Sequence, residues 1–442
     1  MPRLAVSAGQ FPGALILKVK NAHLRGVRGQ MVVGFGVKGL GAATSFLFTW
    51  LLARTAGAAG VGTFGTSLTT VQMCVILSLL GLDAILVRSV SVHLSMERTG
   101  SARAAARHAI QMGTAAGFAL TTIIVIFHWQ IAVDVIGSPA IAKSLMVLSL
   151  VIPIMVYCRL VSTVLRGVRW IGLSQFIDGP LTTSIGSLVL AVVLLLGLPV
   201  SAVFPSQLYL LGWIVTAVVA TYLYRRAVRS WQPREPLNES LLRPGFFILV
   251  ANANNLFTDW FATILLAATH GPAEAGLFRV GYQVAAILKL FSATSETILQ
   301  PVFAVAYQAG DLQRIGRILR LTILGLLLAS MPLAIAVLVA PVWIMRVFGA
   351  QFTAGATAMQ IMVLGQVFSL VFASSGSVLT MASRERLTVV LTTISAVIGT
   401  VLALLFIPPY GALGAAIAIL GPLLFLRVTS MLAVLRLGVP IL

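Results

Sequence analysis

The sequence predicts an all-α integral membrane protein of about twelve transmembrane helices, arranged as two pseudo-symmetric six-helix bundles. Three observations predict it. First, 59% of the residues are hydrophobic and only 9% are charged, with a mean hydropathy of +1.03; soluble domains carry about 25% charged residues. Second, the basic residues fall in alternate loops between apolar runs. Third, the chain repeats itself. LLARTAGAAGVGTF, from Leu51 to Phe64, slides without a gap onto LLAATHGPAEAGLF, from Leu265 to Phe278. Leu51, Leu52, Ala53, Thr55, Gly57, Ala59, Gly62 and Phe64 then meet Leu265, Leu266, Ala267, Thr269, Gly271, Ala273, Gly276 and Phe278. The shared Gly, Thr and Phe positions are not apolar filler, so the repeat reads as a duplication of half the chain.

A spanning helix needs about twenty predominantly apolar residues. Such runs fall near 31–53, 62–87, 105–128, 139–164, 173–198, 204–224, 244–268, 275–304, 318–340, 353–381, 387–407 and 411–435. Arg25 and Arg28 precede the first run. Arg98, Arg103 and Arg107 follow the second, Arg166 and Arg169 the fourth, and Arg225, Arg226, Arg229, Arg234 and Arg243 the sixth. Arg314, Arg317 and Arg320 follow the eighth, Arg384 and Arg386 the tenth, and Arg436 closes the twelfth. The other loops hold little beyond Arg54, Lys143 and Arg346. This alternation predicts a multi-pass protein of a bacterial inner membrane with both termini in the cytoplasm, and accounts for the net charge of +19 without nucleic acid.

Residues 31–224 are therefore expected to form one bundle and 244–442 the other. The polar stretch 225–243 links them on the cytoplasmic side. Residues 1–30 carry basic groups without a cleavable apolar core, so no signal peptide is read there; FPGALILKVKNAHLRGVR suits an amphipathic segment along the inner leaflet. Cys74 and Cys158 lie inside apolar runs without metal or disulfide spacing and read as inert packing. No cofactor is implied.

Charged groups within membrane spans are costly and usually face a bundle interior or an aqueous cavity. At helical spacing, Asn252, Asn255, Asp259 and Thr263 share one face of the seventh span. Tyr282, Lys289 and Glu296 align at heptad spacing on the eighth, with Arg279 nearer its outer end. In the first span Gly34, Lys38, Gly41 and Ser45 form a small-residue face with one lysine. Asp83, Arg88, Arg159, Asp178 and Arg427 lie near enough to the cytoplasmic interface to snorkel or pair locally. Asp259 and Lys289 lie deeper, and two readings stand open for them. They neutralise each other between the seventh and eighth spans, or they face a hydrated central cavity. In the second case Lys38, Arg54, Arg279 and Lys289 would hold an anionic group, with Asp259 or Glu296 taking part in ion coupling beside Asn252, Asn255 and Tyr282. Pro153, Pro301, Pro332 and Pro422 interrupt helices.

Three stretches resemble the polysaccharide-type flippases of the multidrug/oligosaccharidyl-lipid/polysaccharide (MOP) exporter superfamily. They are GQMVVGFGVKGLGAATSFLFTWLLAR with GVGTFGTS and LLGLDAILVR after it, GLFRVGYQVAAIL with ILQPVF, and IPPYGALGAAIAILGPLLFLR. Their order and spacing cover nearly the whole chain. The resemblance implies a central cavity between the bundles, opening alternately to each side. It implies translocation of an undecaprenyl-diphosphate-linked oligosaccharide, an O-antigen or exopolysaccharide repeat unit, with basic cavity residues meeting the diphosphate. The implied partners are that lipid-linked glycan, the bilayer and polysaccharide polymerase machinery.

A multidrug exporter of the same superfamily is the first alternative, but cationic drugs would favour an acidic cavity, and the first span carries Lys38. A glycan polymerase or ligase would need a large outward loop, and the loops are short. His23, His93, His108, His128 and His270 are scattered, and no phosphate-binding loop of the Walker type is present, so an enzyme is not expected.

Overall fold

The computed structural model describes residues 13–232, 242–308, 311–372 and 385–436, and these are almost entirely helical. Three helical stretches run over lengths that no single span could use: Gly13–Leu79, Leu242–Gln308 and Glu385–Arg436. The first would extend about 100 Å, against about 30 Å of hydrocarbon. Each breaks at a glycine outside the helical region: Gly57 (φ 68°, ψ −171°), Gly271 (φ 84°, ψ 171°) and Gly411 (φ 53°, ψ −127°). Positive φ strains a residue with a Cβ, so glycine makes these hairpin turns at least cost. Two of the turns fall inside loops predicted from the sequence, and the third falls on the first residue predicted for the last span.

The breaks yield twelve spans among the described residues. The first hairpin gives α1 (13–56) and α2 (58–79, prolonged by Leu82–Ser95). Next come α3 (Thr99–Gln130), α4 (Pro139–Ser149 and Val151–Gly167), α5 (Ile171–Ile177 and Pro180–Leu195) and α6 (Phe204–Ala227). The second lobe holds α7 (242–270), α8 (272–308), α9 (Leu312–Val339), α10 (Ala356–Leu370), α11 (385–410) and α12 (412–436). A short helix, Pro341–Phe348, and the turn Ala350–Gly355 join α9 to α10. The amphipathic segment expected before the first span is continuous with α1 from Gly13. Part of the linker, 233–241, lies outside the described residues, as does the predicted end of the tenth span.

Bends inside spans have local causes. The two parts of α4 meet at 41° just before Pro153. Proline has no N–H for the carbonyl of Ser149. Thr121 of α3 donates its hydroxyl to that carbonyl instead, at 2.9 Å, the kind of re-satisfaction that lets proline sit in a membrane helix. The parts of α5 meet at 48° around Gly179 and Pro180.

The lobes touch most closely through the duplicated segment. A Cβ on Gly62 would overlap the Pro272 carbonyl, and a Cβ on Gly276 would overlap the Ala58 carbonyl. Pro272 is the counterpart of Ala58 in the repeat register, just as Gly276 is of Gly62. The contact is thus reciprocal, as a two-fold axis between α2 and α8 requires. Further along, Trp260 of α7 donates its indole N–H to Thr70 of α2 at 3.3 Å. At the far end Gly81, at a break in α2, packs on the backbone of Gly245. α2 thus meets α8 at the turn end and α7 at two points further along.

Two outcomes are expected from this packing. Gly62→Val should cost about 1–3 kcal/mol through overpacking against immovable backbone, read as a lowered thermal midpoint of the purified protein. Gly36→Ala, which meets open space, should leave the midpoint unchanged. Thr121→Val should cost about 0.6 kcal/mol, the average for hydrogen bonds inside membrane bundles, and at most about 1.7 kcal/mol, in the same measurement.

Candidate functional site

Beneath the glycine crossing lies a cavity of about 190 Å³ between the lobes. α1 contributes Ser45, Phe48, Thr49 and Leu52; α2 contributes Val61, Phe64, Gly65, Leu68 and Gln72. α5 adds Thr183, α6 adds Tyr209, and α8 adds Arg279 and Gln283. The lining residues on the first hairpin sit about 6–22 Å from its turn. Phe48, Phe64 and Tyr209 pack ring on ring, with centroids 5.5 to 6.3 Å apart, and make an apolar wall. Among the described residues, no hydrogen-bond partner is found for the side-chain amides of Gln72 or Gln283.

Of the four basic candidates, Arg279 lines this cavity. Its guanidinium lies 3.3 Å from Asp259 Oδ2, with side chains only 16% and 13% exposed, and stacks over Tyr282 at 5.5 Å. The pairing of Asp259 with Lys289 that the sequence left open is thereby corrected, since the carboxylate goes to Arg279. Charge is largely cancelled at this level. Thr263 donates its hydroxyl to the Asp259 carbonyl at 2.7 Å, which leaves the carboxylate for the ion pair.

Lys38 shares the lining face of α1 with Ser45 and Thr49, about 10 Å further from the turn end. It also stands in the field of Asp178, with Arg159, Arg166 and Asp83 around it. Arg159 and Asp178 are 3.6 Å apart, the local pairing expected for them. Lys289 is exposed. It lies about 27 Å along α8 from the turn end, matching Lys38 at about 28 Å along α1. It shares its face with Tyr282, roughly a quarter turn from the face of Arg279 and Gln283. Asn252 and Asn255 are exposed on the Asp259 face of α7, further from the turns. The side chain of Glu296 lies outside the described residues.

Arg54 stands apart from the cavity, at the turn end of α1. Its Nε–H and the indole N–H of Trp50 both donate to the Val347 carbonyl of the other lobe, at 3.1 and 2.9 Å. Phe46 meets Phe348 edge-on at 5.4 Å. Arg54 thus clasps the lobes together above the cavity. The sequence reading had marked Ser45 but missed Thr49, Gln72, Thr183, Tyr209 and Gln283. An amide in mid-span was the available signal for Gln72 and Gln283; uncharged hydroxyls and phenyl rings give none.

Two pseudo-symmetric six-helix lobes thus enclose a polar cavity within the span region. Solved structures share the fold at low identity. An inward-facing multidrug resistance MATE family transporter aligns with a TM-score of 0.76 at 14% identity, covering 92% of this chain and 98% of its own. The lipid II flippase MurJ, in an inward closed conformation, gives 0.70 at 13%, covering 92% and 87%. A MOP superfamily transporter from Pyrococcus furiosus gives 0.64 at 15%, covering 93% and 94%. Residues 30–306, more than half of the chain, match the polysaccharide biosynthesis protein family, and the chain belongs to that family. Residues 248–405 also match the MatE family. No curated protein sequence matches the chain.

The Asp259–Arg279 pair makes a direct expectation. Removing one partner of a mostly buried pair strands the other charge, which costs more than removing both. Asp259→Ala should therefore lower the thermal midpoint more than Asp259→Ala combined with Arg279→Met, in a double-mutant cycle on the purified protein.

Proposed function

We propose that this protein moves a lipid-diphosphate-linked oligosaccharide from the inner to the outer leaflet of a bacterial inner membrane by alternating access. The observation that carries the reading is a cavity sealed at the turn end whose α1 lining face continues down to Lys38. Lys38 and Lys289 stand at matching depth, about one hydrocarbon thickness from the turns. With the turn end outward, both lie at the level of the inner-leaflet headgroups, where a lipid diphosphate would present its charge. The arginine-rich connections near Arg98, Arg166, Arg225 and Arg314 are then all cytoplasmic, as the distribution of positive charge favours. The higher TM-score against an inward-facing relative than against the outward-facing one, 0.76 against 0.61, supports an inward-facing state.

Sugars and a diphosphate cannot cross hydrocarbon bare, so a polar cavity must replace their water during transit. The prenyl tail would stay in the lipid beside α1 and α8. Rocking of one lobe on the other moves the opening from one side to the other, and nothing in this cycle requires a bond to be made or broken. The repeat units of O-antigen and exopolysaccharide are the cargo classes this reading names, with the polymerase machinery as the downstream partner. A second reading, export of cationic drugs, is favoured by the MatE match over 248–405 and by the cancelled charge of Arg279.

Complementation separates the two. Expressed in a bacterium lacking its own O-antigen flippase, the chain should restore surface polysaccharide. Lys38→Ala and Lys289→Ala at equal membrane abundance should each lose most of that restoration. No restoration by a well-inserted chain, together with new resistance to cationic dyes, would favour the drug exporter. Restoration kept in both variants would retain the function and remove the lysines from it.

A further inference from the structure

The cavity at the turn end has a chemistry different from the lysines below it. The cation among its described lining residues, Arg279, is already held by Asp259, so a diphosphate gains little there and would have to be stripped of water beside an aromatic wall. What the cavity offers is neutral. The Gln72 and Gln283 amides each carry two donors and an acceptor, and Thr49, whose hydroxyl donates to the Ser45 carbonyl at 3.0 Å, keeps its oxygen as an acceptor. The same cavity is lined by Phe48, Phe64 and Tyr209. A lining that combines hydroxyl-seeking amides with aromatic rings matches a pyranose, which presents hydroxyls at its edge and C–H groups on its faces. A cavity of about 190 Å³ has room for one such ring.

We infer that this cavity is a subsite for one uncharged sugar ring of the cargo, held between Gln72 and Gln283 against the wall of Phe48, Phe64 and Tyr209. The inference rests on the lipid-linked glycan reading above and adds an orientation to it. The glycan enters first and reaches toward the turn end, while the diphosphate stays near Lys38 and Lys289. Because Gln72 belongs to one lobe and Gln283 to the other, the bound ring bridges the lobes and senses their separation.

The test is a binding titration of the full-length protein in lipid nanodiscs with two probes, a short-chain prenyl diphosphate and the same molecule bearing one N-acetylhexosamine. The sugar-bearing probe should bind about tenfold more tightly, the scale of one or two well-made hydrogen bonds. Gln72→Leu with Gln283→Leu should bring that ratio close to one and leave affinity for the bare diphosphate unchanged, which also reports that the variant is folded. Equal affinities in the unmodified protein would overturn the subsite while leaving lipid-diphosphate recognition standing. A preference that survives in the double variant would overturn its assignment to these amides. Failure of both probes to bind would overturn the lipid-diphosphate reading and the subsite with it.

Discussion

Gly62 and Gly276 let two backbones pass closer than any side chain allows, and the remaining architecture depends on that approach. It brings α2 and α8 together on the pseudo-two-fold axis and closes the roof of the cavity. It also fixes the depth at which Phe64 and Arg279 face the interior. With lipid outside, there is no hydrophobic force to press helices together; close packing of small residues takes its place. The same device recurs where Gly41 meets Pro180, Gly186 meets Phe48 and Gly399 meets Thr258.

Along the axis of the molecule, charge is sorted by depth. Near the turns, Arg54 is spent on a clasp between lobes and Arg279 on an ion pair. Inside the first lobe, Arg159 and Asp178 are paired. Lys38 and Lys289 lie at one level, far from the turns. On the proposed reading, the charged end of an amphiphile would lie at the level of these lysines and its neutral end nearer the turns.

Most of the fold was legible in the sequence because membrane spans are written as apolar length, and loops as glycine and arginine. Gly57 and Gly271 lie in predicted turns, and the duplicated segment turned out to be the place where the halves meet. The site was read less well. Charges are conspicuous in an apolar chain, so Lys38, Arg54, Arg279 and Lys289 were grouped by type although they serve different places. Which carboxylate an arginine finds depends on rotation and register between α7 and α8, which composition does not encode. Gln72, Thr183 and Tyr209 come from three helices and converge only on folding. In the hairpin 242–308 the polar side chains from Asn252 to Lys289, which give it its chemistry, are also those that dilute its apolar signal.

The clasp at the turn end has one partner without a side chain. Trp50 and Arg54 both address the carbonyl of residue 347, a group that every amino acid supplies. Mutational drift at 347 can change the side chain there without removing the acceptor, whereas 50 and 54 have no such freedom. An evolutionary record of this contact would therefore be lopsided, constrained on α1 and silent opposite. A search for co-varying pairs would pass over it, although it joins the two halves of the molecule.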